Sequence, residues 1–222
     1  MTSATTPPPV VGVVGGGRMG AGIAQSFASA GSRVVVVERD GSAAAAAMER
    51  ITKGLRQAAE RETPAGPSDP DTPDRVAVVS SIAELPHHSD LVVEAVPEVA
   101  ALKAELLAAA EDVVHDGCVL ASNTSSLSVT ELAAVLRRPG RFLGMHFFNP
   151  VPVSALVELV LAPDTTEATR AAAVRWTHAL GKQDVVVKDS PGFASSRLGL
   201  ALGLEVIRDG EAYVESHHVR QP

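Results

Sequence analysis

Three groups of residues in this sequence carry types and spacings suited to chemistry. The first is a glycine turn in which Gly15, Gly17 and Gly20 fall at G-x-G-x-x-G spacing around Arg18 and Met19. The first glycine permits the tight turn out of a strand, the second lets the backbone approach a pyrophosphate, and the third lets the following helix pack against the strand. A helix opening there points free N–H groups and a partial positive charge at the phosphates. Glu38 ends the next apolar run, where a carboxylate accepts from a ribose diol and repels a 2′-phosphate. That favours NAD over NADP, although the adjacent Arg39 would tolerate a phosphate. The second group is His146, at the end of an apolar run, with Glu158 following inside the apolar stretch from Leu156 to Val160. A carboxylate in such a run is costly to bury unless paired, and an imidazole is a natural partner. Together they make a base whose tautomer and proton affinity the acid sets, as hydride transfer from a hydroxyl requires. A lone histidine at a strand end is at least as often structural, and it is the dinucleotide motif upstream that favours catalysis. The third group is the polar cluster containing Asn123 and Ser125, directly after a short apolar run. Open α/β sheets bind ligands at that end of their strands.

The elements that must position these groups are legible as an alternation. Apolar runs at 10–14, 33–37, 76–79, 91–96, 119–121, 142–146, 157–161 and 184–187 predict strands. Helices are predicted over 18–30, 42–62 and 99–115, a further one behind the Ser128 to Glu131 capping box, and another framed by Asp164 and Glu167 and ending near Gly181. Four prolines within 63–74 mark a loop. Strand–helix alternation of this kind implies an α/β fold of Rossmann type, doubly wound on a mainly parallel sheet. Residues 1–9 read as a disordered leader, and 10–190 as the dinucleotide-binding domain.

Bulk properties narrow the partners. The 222 residues suffice for one large domain with a fragment of a second. Aromatics are only 3%, so the core must be aliphatic. A net charge of −7 gives no reason to expect nucleic acid or an anionic membrane surface as partner. Cys118 is the one cysteine, which rules out an internal disulfide and a thiolate metal site. No apolar run approaches membrane-spanning length. These features lead us to expect a soluble, cytoplasmic protein that binds no metal.

Five stretches in order give the chain a resemblance to a known family. They are VVGGGRMG at 13–20, DLVVEAVPE at 90–98, ASNTSSL at 121–127, GMHFFNPVPV at 144–153 and KDSPGF at 188–193. Together they resemble the L-3-hydroxyacyl-CoA dehydrogenases of fatty acid β-oxidation, and the HFFNPVP block is the most specific of them. The resemblance implies reversible oxidation of a 3-hydroxyacyl-CoA to the 3-ketoacyl-CoA with NAD. It implies His146 as the base that takes the 3-hydroxyl proton, held by Glu158. It further implies Ser125 as a hydrogen-bond partner of the substrate oxygen, Asn149 (with Asn123 nearby) beside the nicotinamide, and Glu98 and Lys103 lining the NAD site. Arg61 falls in the region where the family contacts CoA phosphates. Ser196 stands where much of the family has an asparagine as a further substrate-oxygen contact.

The family continues into a helical dimerisation domain of about a hundred residues. Residues 191–222 correspond to a truncated remnant of it, apolar at Leu198, Leu200, Leu202 and Leu204. A homodimer through that helix is the expected assembly. The competing readings are a weakly active or non-catalytic NAD-binding remnant, and a dehydrogenase acting on a carrier-protein thioester.

Overall fold

A computed structural model describes residues 6–60, 71–202 and 204–205. β-Branched runs form the strands and alanine-rich runs the helices. In chain order these are β1 (Val10–Val14), α1 (Arg18–Ser29), β2 (Arg33–Val37), α2 (Gly41–Ala59), β3 (Val76–Val79), β4 (Leu91–Glu94) and α3 (Ala100–Val113). They continue as β5 (Val119–Ser122), α4 (Val129–Ala133), β6 (Phe142–Phe147), β7 (Leu156–Leu161), α5 (Glu167–Ala179) and β8 (Gln183–Lys188). All eight strands belong to one sheet, ordered β3-β2-β1-β4-β5-β6-β7-β8. Only β6 and β7 run antiparallel. The strand order reverses at β1, between β2 and β4, so a crevice opens at the carboxyl ends of these strands.

Helices cover both faces of the sheet, which is why its strands read as unbroken apolar runs. On one face Ile23 and Phe27 of α1, Ile51 of α2 and Ala173 of α5 pack against Val11, Val13 and Met145. On the other, Leu107 of α3 and Leu132 of α4 pack against Val14, Val92 and Phe142. The doubly wound α/β fold expected from the alternation is the one observed.

Several boundaries differ from expectation for local reasons. β4 stops at Glu94 because the Val96 N–H donates to the Glu94 side chain at 2.7 Å instead of to a neighbouring strand. α2 ends at Ala59, with Glu60 as its C-cap, and Arg61 lies outside the described residues. The N-cap of α5 is Thr166, whose hydroxyl accepts from Thr169 N–H, and not Asp164. The helix starts at Glu167, and only the residue just before it can reach the first-turn N–H groups. Ser128 caps α4 as expected. Of the leader, residues 6–9 are described and are not free of the domain: Pro8 is buried and the Pro9 carbonyl accepts from Arg33 N–H at 2.9 Å.

Candidate active site

The glycine turn sits at the crevice. Gly15 has φ +95, a conformation that L side chains rarely adopt. A Cβ on Gly20 would lie 1.8 Å from the Gly15 carbonyl oxygen, so only glycine lets α1 start here. Above Gly17 nothing lies within 4 Å of a built Cβ. Gly17 is also the N-cap of α1, and no side chain caps the helix. The first-turn N–H groups therefore face an open space suited to a pyrophosphate. That space is a cleft of about 870 Å³ lined by Gly15, Gly17, Glu38, Ser42, Val96 and Leu106, among others. Glu38 is oriented by its own loop: Oε1 accepts from Gly16 N–H at 2.8 Å and Oε2 from Arg39 N–H at 3.2 Å. The Arg39 side chain pairs with Asp40 at 3.2 Å.

A second cleft of about 350 Å³ shares Ala95 and Val96 with the first. Met19, Glu98, Asn123, Ser125, His146, Phe148 and Asn149 are among the other residues of its wall. His146 and Glu158 are direct cross-strand partners in the antiparallel pair of β6 and β7, which explains how residues so far apart in sequence meet. His146 Nδ1 lies 3.1 Å from Glu158 Oε2. Because a carboxylate only accepts, Nδ1 carries the proton and the Nε2 lone pair is left for the cleft. Phe148 and Phe193 flank the imidazole, with ring centroids at 4.4 and 6.0 Å. Glu158 itself is only 1% exposed. Burial alone would push its carboxyl up. Hydrogen bonds from the Ser195 hydroxyl, His146 and the N–H groups of Ser195 and Ala194 outweigh that, and hold it below its ordinary value.

Ser125 is exposed at the mouth of this cleft, on a turn organised by Glu98. One oxygen of Glu98 accepts from Thr124 Oγ1 (2.5 Å), Ser125 N–H (2.9 Å) and Ser126 N–H (3.1 Å). Burial acts to raise this carboxyl, but the bonds from Thr124 and Ser125 and the Lys103 charge lower it to about 2. Lys103 is completely buried and is not part of the wall of either of these two clefts. Its Nζ lies 2.7 Å from Glu94 Oε1, 3.2 Å from the Val96 carbonyl oxygen and 3.3 Å from Glu98 Oε2. The ammonium thus faces carboxylates beneath the site, where the resemblance implied a lining residue. Asn123 holds the strand end by accepting from Phe147 N–H at 2.9 Å. Ser196 is exposed, with its hydroxyl 3.4 Å from the Ser125 carbonyl oxygen.

A third cleft, about 520 Å³, lies between α1, α2 and the turn after β6, and carries Arg18, Arg50 and Gln57. Asn149 lines both this cleft and the one holding His146.

The sequence of residues 10–190 matches the family model of the 3-hydroxyacyl-CoA dehydrogenase NAD binding domain. The chain belongs to this family. It is 39% identical over 203 residues to the mitochondrial hydroxyacyl-coenzyme A dehydrogenase of Sus scrofa, an alignment covering 89% of this chain and 65% of that protein. To the 3-hydroxybutyryl-CoA dehydrogenase of Mycobacterium tuberculosis it is 43% identical over 207 residues, covering 91% and 71%. The crystal structure of M. tuberculosis FadB2 superposes with a TM-score of 0.84 at 40% identity, over 94% of this chain and 73% of that one. The chain thus spans about two thirds of the length of the mitochondrial relatives it matches. The family assignment makes NAD the cofactor of the crevice, in agreement with the open space above Gly17.

Sequence reasoning missed Ser195, Glu94 and Lys182. Ser195 anchors Glu158, and Glu94 neutralises Lys103. The buried Lys182 ammonium donates to the carbonyls of Val151 and Ser154, both at 2.6 Å, and fixes the turn that carries Asn149. No periodic pattern marks any of the three. The glycine before Lys182 and the PGF block before Ser195 were the only cues nearby.

Proposed function

We propose that this chain catalyses the reversible NAD-dependent oxidation of a 3-hydroxyacyl-CoA to the 3-ketoacyl-CoA, as in fatty acid β-oxidation. The observation that carries the reading is the buried His146–Glu158 pair, 3.1 Å apart, opening onto a cleft that shares its wall with the dinucleotide crevice. Bound NAD supplies a hydride acceptor. The rest is done by the chain itself.

His146 Nε2 takes the proton of the 3-hydroxyl, and the imidazolium that forms is stabilised by the Glu158 carboxylate through Nδ1–H. Ser125 Oγ, exposed at the cleft mouth on the turn held by Glu98, hydrogen-bonds the same substrate oxygen, with Ser196 beside it. Asn149, Asn123 and Met19 set the wall against which the nicotinamide ring rests. Phe148 and Phe193 shield the imidazole from water, which strengthens its pairing with Glu158. Glu38 receives the adenosine ribose. The CoA handle takes the cleft between α1 and α2, where Arg18 and Arg50 offer positive charge to its phosphates, with Arg61 two residues beyond the end of α2. We assign the working unit as a homodimer of this chain in the cytoplasm. No helix of the described residues is long and apolar enough to cross a membrane.

The test is NADH oxidation with acetoacetyl-CoA, alongside NADH binding followed by fluorescence. Wild type turns over, and His146→Ala loses activity by about 10²-fold or more while NADH affinity is kept. Binding without turnover in the wild type would sink the dehydrogenase reading in favour of a non-catalytic NAD-binding protein. Turnover with an acetoacetyl carrier protein but not with the CoA thioester would move the substrate class.

A further inference from the structure

Glu158 accepts four hydrogen bonds, two on each carboxylate oxygen. Its Oε1 accepts from the N–H groups of Ala194 at 2.8 Å and Ser195 at 3.0 Å. Its Oε2 accepts from His146 Nδ1 at 3.1 Å and from the Ser195 hydroxyl at 2.7 Å. Two carboxylate oxygens offer about four lone-pair sites, and four protein donors use them. The two donors on Oε2 divide the charge of one atom, and the Ser195 bond is the shorter. We propose that Ser195 is a positioning residue of the dyad, whose hydroxyl limits how much of the Glu158 charge reaches His146 and so sets the basicity of the base.

A purely local role for the hydroxyl fits the geometry poorly. A serine that caps a helix accepts from N–H groups a few residues ahead, whereas Ser195 Oγ donates across the fold to a residue 37 positions away. Nor is the hydroxyl needed to tether the segment to β7, because two backbone N–H bonds already do that. What it adds is a charge-assisted bond on the oxygen that His146 uses. It also contributes to holding the Glu158 carboxyl below its ordinary value.

The other charges around the imidazole are few. Glu98 faces it across the cleft, and no lysine or arginine lines that cleft among the described residues. On β8 the neighbour of Glu158 is Val185, and the adjacent Asp184 is turned to His178 at 2.6 Å. Asp189, after β8, is committed to Ser128 Oγ and Thr130 N–H, both at 2.8 Å. Glu158 is thus the charge in direct contact with His146, and Ser195 is the side chain that shares it.

The sign follows from this arrangement. Removing the hydroxyl returns the charge of Oε2 to the Nδ1–H bond, which favours the imidazolium and raises the proton affinity of His146. The proposal rests on the dehydrogenase reading only in taking His146 as the base. Its test reads the ring directly, by NMR titration of the histidine nitrogens in the full chain, with the His146→Gln spectrum identifying the signal. In Ser195→Ala the His146 titration moves up by about 0.5 pH unit, roughly a threefold change in proton affinity. Ser195→Thr, which keeps a hydroxyl, restores the wild-type value. Ser195→Cys, a weaker donor, falls between and serves if the alanine variant does not fold. In an active enzyme the acid limb of kcat/KM moves with the titration. A titration that stays within about 0.1 unit in the alanine and cysteine variants, or moves down, overturns the proposal. Absence of turnover with acetoacetyl-CoA would count against the dehydrogenase reading and leave the ring titration to decide the role of Ser195.

Discussion

At the residue scale, the site is a set of carboxylates held ionised by donors that the fold delivers to them. Glu98 shows what this means for stability. Burial works against its charge, but Thr124, Ser125 and Lys103 keep its carboxyl at about 2, below the ordinary 4.5. A folded-state value below the unfolded one means the stabilisation is fully present above about 4.5 and is lost as pH falls toward 2. Urea midpoints taken at pH 6 and pH 3 should therefore drop steeply in the wild type, and less in Glu98→Gln, which has no such carboxyl to protonate. Equal drops in the two proteins would show that the turn around Ser125 owes nothing to Glu98 ionisation. Glu158 and Asp189 are lowered too, so the variant keeps part of the acid sensitivity. His146 and Glu158 were legible in the sequence because an acid inside an apolar strand demands a partner. Lys103 and Ser195 were not. Whether a lysine in the first turn of a helix points into a cleft or down onto a buried carboxylate depends on Glu94, nine residues back, and no local pattern records that.

At the element scale, the alternation of apolar runs and alanine-rich helices carried the fold. The order of the sheet placed the polar strand ends together, including the antiparallel β6–β7 pair that no periodicity could announce. The βα turn bears out the division of labour between two glycines that the motif implies. At Gly20 a methyl group would meet the Gly15 carbonyl at 1.8 Å, so Gly20→Ala must push α1 off the strand. Overpacking of that kind costs about 1–3 kcal/mol, which is several degrees in Tm. At Gly17 a methyl group meets nothing of the protein and occupies the space where the pyrophosphate approaches. Gly17→Ala should therefore cost less Tm than Gly20→Ala, through the poorer N-cap alone, and weaken NADH binding by about tenfold or more, equivalent to ~1.4 kcal/mol. Thermal unfolding and NADH titration of the two variants separate these roles. Similar losses of Tm in both would mean that the motif serves packing alone.

At the scale of the whole molecule, helices pack on both faces of the sheet, and the longest run of exposed large apolar side chains among the described residues lies beyond Phe193. Residues 195–202 and 204–205 are helical, and Leu198, Leu200, Leu202 and Leu204 are 62%, 66%, 60% and 53% exposed. Leu198 and Leu202 share one stripe of that helix, and Leu200 and Leu204 lie about 200° around it. A helix that is apolar on opposite sides is built to be surrounded. Its N-terminal end is fixed to the active site through Glu158, so whatever surrounds it is held beside the cleft that contains His146. A second copy, presenting the same segment, covers the Leu198–Leu202 stripe by symmetry. The protein is therefore expected to run in light scattering at about twice the 22.9 kDa chain mass. The double variant Leu198→Glu, Leu202→Glu should fall to the chain mass with NADH binding retained, because the crevice at β1 and β4 lies on the far side of the dyad. A wild type that stays monomeric at micromolar concentration, or a variant that remains dimeric, would place the assembly surface elsewhere.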